Sequence, residues 1–507
     1  MKLNALLFEP ELFDFEIDKS NWIVSEFSAN KFCATECRTE LENKYIPLVE
    51  ITEKFSRQTV SYQLSKKDAV SRWLKYKEGF SIDLVETLLD EMNIHCKDAT
   101  VLDPFMGAGT TAYSCVIRGL NCLGFDILPM SKLAVESKCN ILHYDIKELE
   151  DFYNYLKSLQ RSDDYSKKTP EIKITESAYP KETARDISFF LEKIKCSSFS
   201  ELVKNLGILS LTNCLDRLSY TAKDGQYLRW DIRSEKIAKA NKERLEKGLP
   251  PIQVKLDKGV LPKTKDLLLA ELEQCIFDIK KISSSLKQCG NVTFKQNSAL
   301  RELPLVEKNS IDAVITSPPY CNRYDYTRIY ALELVFLGKS EKDINALRQD
   351  MLSCTVESKS KKEWLKNYYA SLNRMSEFEI VDEIFNNCAA LQEVLFALRK
   401  REQNGDINNK GVLRMVEGYF YELAFVYYEL YRCCKKNAQV AFVNDNVRYA
   451  GEVIPVDFIS TELAQMCGFK PIVIYTLKQQ KGNSSQQMKK FGRVPLRKSI
   501  TIWQKLP

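Results

Sequence analysis

Asp103-Pro-Phe-Met-Gly-Ala-Gly-Thr-Thr111 decides how this chain folds. An apolar run at 99–102 leads into it and a helix-compatible run at 110–117 follows, so it reads as a strand, a glycine turn and a helix start. Gly107 and Gly109 let the turn backbone approach a ligand closely, with the helix N-terminus behind offering amide donors. Far downstream, Ser317-Pro-Pro-Tyr320 follows a second apolar run at 311–315, which predicts another parallel strand carrying these four residues at its carboxyl end. Open α/β sheets bind ligands at that edge. Either segment alone is compatible with an ordinary turn; both in this order, each behind a strand, point to one site.

Outward from the glycine turn, Leu123-Gly-Phe-Asp-Ile127 predicts the second strand, ending in Asp126. Its spacing from Gly109 suits a βαβ unit, in which a carboxylate can accept hydrogen bonds from both hydroxyls of a ribose; the alternative is a cap on the helix beginning near Pro129. Ahead of the turn, an aromatic lead-in (Trp73-Leu-Lys-Tyr-Lys-Glu-Gly-Phe-Ser81) precedes a helix over 82–92 with Leu84, Val85, Leu88 and Leu89 on one face. A strand over 291–294 resumes the pattern after a long interruption, with Ser298 just beyond it.

The two quoted segments resemble the S-adenosylmethionine-dependent DNA methyltransferases that modify exocyclic amino groups of bases, the N4-cytosine and N6-adenine family. That family writes the first segment as Asp-Pro-Phe-x-Gly-x-Gly-Thr-Thr, which 103–111 matches throughout. It writes the second as Asp, Asn or Ser followed by Pro-Pro-Tyr, and 317–320 match the serine form. The resemblance covers residues 75–140, 290–340 and 415–505.

The resemblance implies a doubly wound, Rossmann-like α/β methyltransferase sheet with large helical insertions. It implies S-adenosylmethionine as cofactor, double-stranded DNA as partner and a cognate restriction endonuclease alongside. Cofactor contacts would come from Asp103, Phe105, Gly107, Gly109, Thr110 and Asp126, with Phe80 ahead of the turn. Where the family commonly has an Asp that binds the adenine amino group, this chain has Ser298, which hydrogen-bonds without carrying charge. Catalysis would rest on Ser317, Pro318, Pro319 and Tyr320: the Ser317 hydroxyl and the Pro318 carbonyl accept the two amino hydrogens, and Tyr320 stacks on a base flipped out of the duplex. The serine form points to cytosine N4 ahead of adenine N6. An RNA base methyltransferase and a non-catalytic DNA-binding relative would share the same core. Methylation at cytosine C5 needs a thiolate directly after a proline, whereas Tyr320 separates Pro319 from Cys321.

At 507 residues the chain exceeds one ordinary core, so insertions are expected. We divide it into an N-terminal accessory segment (1–65), a cofactor-binding half (66–143), a mainly helical insertion with its own packing and a possible role in target recognition (144–290), the catalytic strand and motif (291–338), a second helical insertion (339–411) and the remainder of the sheet (412–507). In that remainder, 471–477 and 499–503 are expected to form an antiparallel pair. The net charge of +6 is mildly basic, so local clusters must provide any phosphate contacts. Candidates are Arg323 and Arg328 after the catalytic motif, Arg229 with Lys223 and Arg233 in the aromatic stretch 219–233, and Lys489, Lys490 and Arg493 in an acid-free run that ends at Lys498. Sixteen cysteines and two histidines, without zinc-finger spacing, argue against a metal site and for reduced thiols. No apolar run is long enough to span a membrane, and the expected location is the bacterial or archaeal cytoplasm.

Overall fold

Short aliphatic and β-branched runs build the central sheet of the computed structural model, which describes residues 23–507 apart from Ser25, Gly225, Gln226, Lys287, 479–487 and Arg493. In chain order the strands are β1 (Val49–Thr52), β2 (Thr100–Asp103), β3 (Asn121–Phe125), β4 (Thr221–Asp224), β5 (Tyr227–Trp230), β6 (Val292–Lys295), β7 (Ile311–Thr316), β8 (Cys434–Asp445), β9 (Val447–Tyr449), β10 (Glu452–Ile454), β11 (Lys470–Leu477) and β12 (Lys498–Gln504). Eight of them form one sheet in the order β1-β11-β12-β8-β7-β2-β3-β6, while β4–β5 and β9–β10 are separate hairpins. Every pairing in the large sheet is parallel except those of β12, which runs antiparallel to both β11 and β8.

Central strands of such a sheet are covered on both faces, which is why they read as unbroken apolar runs. Val101, Leu102, Ala313, Val314 and Ile315 are all fully buried. From β2 the chain winds outward through β3 to β6, then crosses back to β7 on the other side of β2. That reversal opens a crevice at the carboxyl ends of β2 and β7, the place where doubly wound sheets hold ligands.

Two expectations about the periphery are corrected. Residues 1–65 do not all stand outside the sheet as an accessory segment, because β1 extends it, with Val49 opposite Ile474 of β11. Val49 and Ile51 are buried against the sheet, and Arg38 behind them is fully enclosed by Glu393 and Glu452. The insertion at 144–290 does not pack separately either. Its helices Ile146–Ser158, Lys181–Lys195, Glu201–Leu218 and Thr264–Ser283 share one continuous core with Ala112, Ala313 and Ile315. The stripe of Leu268, Leu272 and Ile279 along the last helix is fully buried there. Across the sheet, the helices of 362–403 pack with the long helix Gly411–Cys433.

Candidate active site

The two sequence motifs meet at the crevice because β2 and β7 are neighbours. The Asp103 carboxylate, 1% exposed, accepts hydrogen bonds from the Thr316 hydroxyl (2.7 Å), the Thr111 hydroxyl (2.7 Å) and the Phe105 amide (3.1 Å). Burial pushes its carboxyl up to about 6, against the pull of those three donors. Asp103 thus clasps the end of β2 to the end of β7 and to the first turn of helix Thr110–Arg118.

The glycine turn is held from several sides. Gly107 and Gly109 have φ of +52° and +80°, and a Cβ on Gly107 would lie 3.0 Å from the Tyr76 ring. The Met106 amide donates to the Phe125 carbonyl at 2.9 Å, and the Thr110 hydroxyl to the Phe80 carbonyl at 3.3 Å. Asp126, at the end of β3, accepts from the Gly107 amide at 2.9 Å and the Leu128 amide at 2.8 Å. Its expected alternative as a helix cap is not realised: helix Pro129–Cys139 starts from Leu128 without a side-chain cap. Enclosure in the cavity wall raises the Asp126 carboxyl above its usual range.

One cavity brings together nearly all the residues expected at the cofactor and catalytic sites. Phe80, Asp103, Phe105, Gly107, Thr110, Asp126 and Ser298 line it, and so do Ser317, Pro318, Pro319 and Tyr320. Within the motif, the Ser317 hydroxyl donates to the Tyr320 hydroxyl at 3.1 Å. Cys321 directly follows but points away: its thiol is fully buried and pushed up by burial, and its carbonyl accepts from the Tyr449 hydroxyl at 2.7 Å.

The basic candidates fare differently. Arg328 is paired with Glu357 and with Asp325 (3.4 Å). Lys490 pairs with Asp406, and Lys223 is buried against Glu333 at 2.5 Å, not presented to solvent. Arg323 sits over the Tyr449 ring at 5.6 Å with φ +65°, and Arg229 is exposed on β5. Lys489 belongs to the short helix Met488–Phe491, and Arg493 lies outside the described residues. Lys498, read as the end of the basic run, opens β12 and reaches the cavity, with its ammonium 5.1 Å from the centre of the Tyr320 ring.

Sequence reasoning missed a polar network that reaches the same cavity. Glu78 accepts the hydroxyls of Tyr324 and of Tyr330 (2.5 Å), and burial raises its carboxyl. Tyr76 stacks on Tyr330 with centroids 5.1 Å apart, and the Lys223 ammonium lies 4.1 Å above the same Tyr330 ring. The β4–β5 hairpin of the insertion is thereby fastened to the segment after the Ser-Pro-Pro-Tyr motif. The only linear signal was the density of tyrosines at 320–330.

A doubly wound sheet with a glycine turn and a Ser-Pro-Pro-Tyr edge motif in one crevice defines a Rossmann-like DNA methyltransferase. The chain belongs to the type II methyltransferases, the DNA methyltransferases of restriction–modification systems. It is 50% identical over 493 residues to the type II methyltransferase M.BsoBI of Geobacillus stearothermophilus, covering 97% of this chain and 96% of that protein. It is 38% identical over 473 residues to the type II methyltransferase M.AvaI of a Nostoc species, covering 92% of each. A shorter stretch of 92 residues is 37% identical to the type II methyltransferase M.MjaII of Methanocaldococcus jannaschii, covering 18% of this chain and 16% of that protein. No protein-family model matches the chain. Among the described residues, no helix is long and apolar enough to cross a membrane.

Proposed function

We propose that this protein transfers a methyl group from S-adenosylmethionine to the exocyclic amino group of a base flipped out of double-stranded DNA, with cytosine N4 as the target. The observation that carries this reading is the shared cavity: Ser317, Pro318 and Tyr320 line the same space as Gly107 and Asp126. The chemistry of the remaining lining suits a nucleoside cofactor. The Asp126 carboxylate, held by the Gly107 and Leu128 amides, lines the cavity wall, where ribose hydroxyls would donate to it. Phe80 and Ile127 supply apolar wall, and Asn297 and Ser298 supply polar groups for a base edge.

When bound, S-adenosylmethionine supplies an activated methyl group on a sulfonium. This chain's residues then orient the acceptor. An exocyclic amine is conjugated into its ring and is a poor nucleophile. A hydroxyl oxygen at Ser317 and a carbonyl at Pro318, both accepting its hydrogens, favour the pyramidal form that exposes the lone pair. The locked φ of Pro318 and Pro319 limits how far that carbonyl can swing. Tyr320 offers a face for the extruded base, and positioning provides most of the acceleration.

Mass spectrometry of nucleosides from DNA treated with the protein and cofactor tests this reading. N4-methylcytosine is the expected product; N6-methyladenine would keep the chemistry and change the base, and 5-methylcytosine would overturn it. In calorimetry, Asp126→Ala should weaken cofactor binding by about 1–3 kcal/mol, the scale of losing a buried hydrogen-bond partner.

A further inference from the structure

Methylating a neutral amine leaves a cation on the base that must lose a proton, and the Ser-Pro-Pro-Tyr motif contains no carboxylate to receive it. Five carboxylates line the cavity, and four have structural duties. Asp103 holds Thr316 and Thr111, Asp126 holds two backbone amides, Glu78 holds Tyr324 and Tyr330, and Asp350 accepts from Arg301 at 3.2 Å. The fifth, Asp445, is the last residue of β8, and its carboxylate faces Lys498 at 3.9 Å.

The strand register explains why this pair stands beside the motif. Thr316 of β7 is opposite Phe442 of the parallel strand β8, so Asp445 and the 317–320 segment leave the sheet at the same edge. Lys498 is opposite Asp445 in β12, and its ammonium lies 5.1 Å from the Tyr320 ring centre. Asp445 and Lys498 both line the cavity with Ser317 and Tyr320.

We propose that Asp445 accepts the proton released by the methylated amine and that Lys498 is its positioning residue. This inference rests on the proposed amino-methyl transfer. The amine lone pair forms the N–C bond as the methyl–sulfur bond breaks, and that bond's electrons leave with sulfur. An N–H bond of the resulting cation then breaks, its electron pair returns to nitrogen and the proton passes to an Asp445 oxygen. No further oxidant, reductant or co-reactant is needed. Burial raises the Asp445 carboxyl, which makes it a better proton acceptor, while Lys498 and Arg57 oppose that rise. Burial disfavours the Lys498 ammonium, but Asp445 and Tyr320 outweigh it, so this side chain stays charged beside the acceptor.

The test is single-turnover methylation by the full chain on a mixed-sequence duplex that the wild-type protein is first shown to methylate at an amino group. Rates are followed from acidic to neutral pH. Asp445→Asn should lower the rate on the order of 10²–10⁴-fold and flatten its rise with pH, the signature of a missing general base. Asp445→Glu should restore part of the rate and the rise. Lys498→Met should shift the rise to higher pH, because a cation that favours the ionised carboxylate is gone. Cofactor affinity by calorimetry serves as the check on folding for each variant. An Asp445→Asn protein that binds cofactor and keeps the wild-type pH dependence overturns the assignment. If Asp445→Asn fails to fold, Lys498→Met with an unmoved pH profile does so instead. A wild-type protein that methylates no amine would refute the function itself, a separate outcome.

Discussion

The Thr316 hydroxyl donates to the Asp103 carboxylate at 2.7 Å, fastening the last residue of β7 to the last residue of β2. The glycine turn and the Ser-Pro-Pro-Tyr motif are therefore set relative to each other by a buried side-chain contact as well as by the pairing of β2 with β7. Thr316→Val removes the donor and leaves that carboxylate oxygen with only the Phe105 amide. Chemical denaturation should register a loss of about 1–3 kcal/mol, and Thr316→Ser should recover most of it.

Two buried groups give the protein opposite responses to pH. The Asp103 carboxyl is raised from 3.8 to about 6, so folding favours its protonated form; that contribution is complete below 3.8 and lost as pH rises through about 6. The Lys138 amine, buried behind the glycine turn with a 2.9 Å bond to the Ala108 carbonyl, is lowered from 10.5 to about 8 by burial. Folding favours its neutral form, so its contribution is present above 10.5 and lost as pH falls through about 8. Lys138→Met should remove the alkaline slope in denaturation midpoints measured across that window, and should raise stability near neutrality. An unchanged slope would mean that this ammonium is not buried in solution.

Helix Glu235–Glu246 of the first insertion carries Lys239 and Lys242 on exposed positions, and with Arg328 it borders a second groove. If DNA lies along it, Lys239→Glu with Lys242→Glu should weaken binding to all duplexes alike. The slope of log affinity against log salt should fall by about 0.9 for each phosphate that the protein no longer neutralises. Titrations at several salt concentrations decide this, and weakening confined to the methylated sequence would mean that the helix reads bases.

Cys321 and Tyr320 separate two chemistries with adjacent residues. The Cys321 thiol is buried and held above its ordinary range, the reverse of what a nucleophilic thiolate requires. Cys321→Ser should keep methylation near wild-type rates, while Tyr320→Ala should cost about 1–3 kcal/mol of base stacking. A dead Cys321→Ser protein with a normal cofactor affinity would reverse this assignment.

The part of the fold readable from the sequence was the part encoded locally. Residues 101–102 and 313–315 are buried on both faces and so carry an unbroken apolar signal, and Gly107 and Gly109 mark a turn that needs positive φ. The antiparallel pair of β11 and β12 was legible for the same reason. β1 was not, because four residues in a polar neighbourhood gain their place only by pairing with Ile474 to Leu477 at the far end of the chain. Charge was the least legible quantity. Arg328 and Lys490 look like phosphate ligands in sequence, yet Glu357 and Asp406 neutralise them through contacts that no linear spacing announces. Glu78 is equally silent, since its partners Tyr324 and Tyr330 lie some 250 positions away.

The buried Lys223–Glu333 pair limits how this enzyme could be re-engineered or could exchange parts with relatives. A chimera that swapped residues 144–290 as a cassette would carry Lys223 away and strand Glu333 beneath a foreign surface. Removing one member of such a pair costs about 3–5 kcal/mol, a large share of the stability of an ordinary domain. Grafts that bring a lysine to the same place should survive; those that do not should fail at folding.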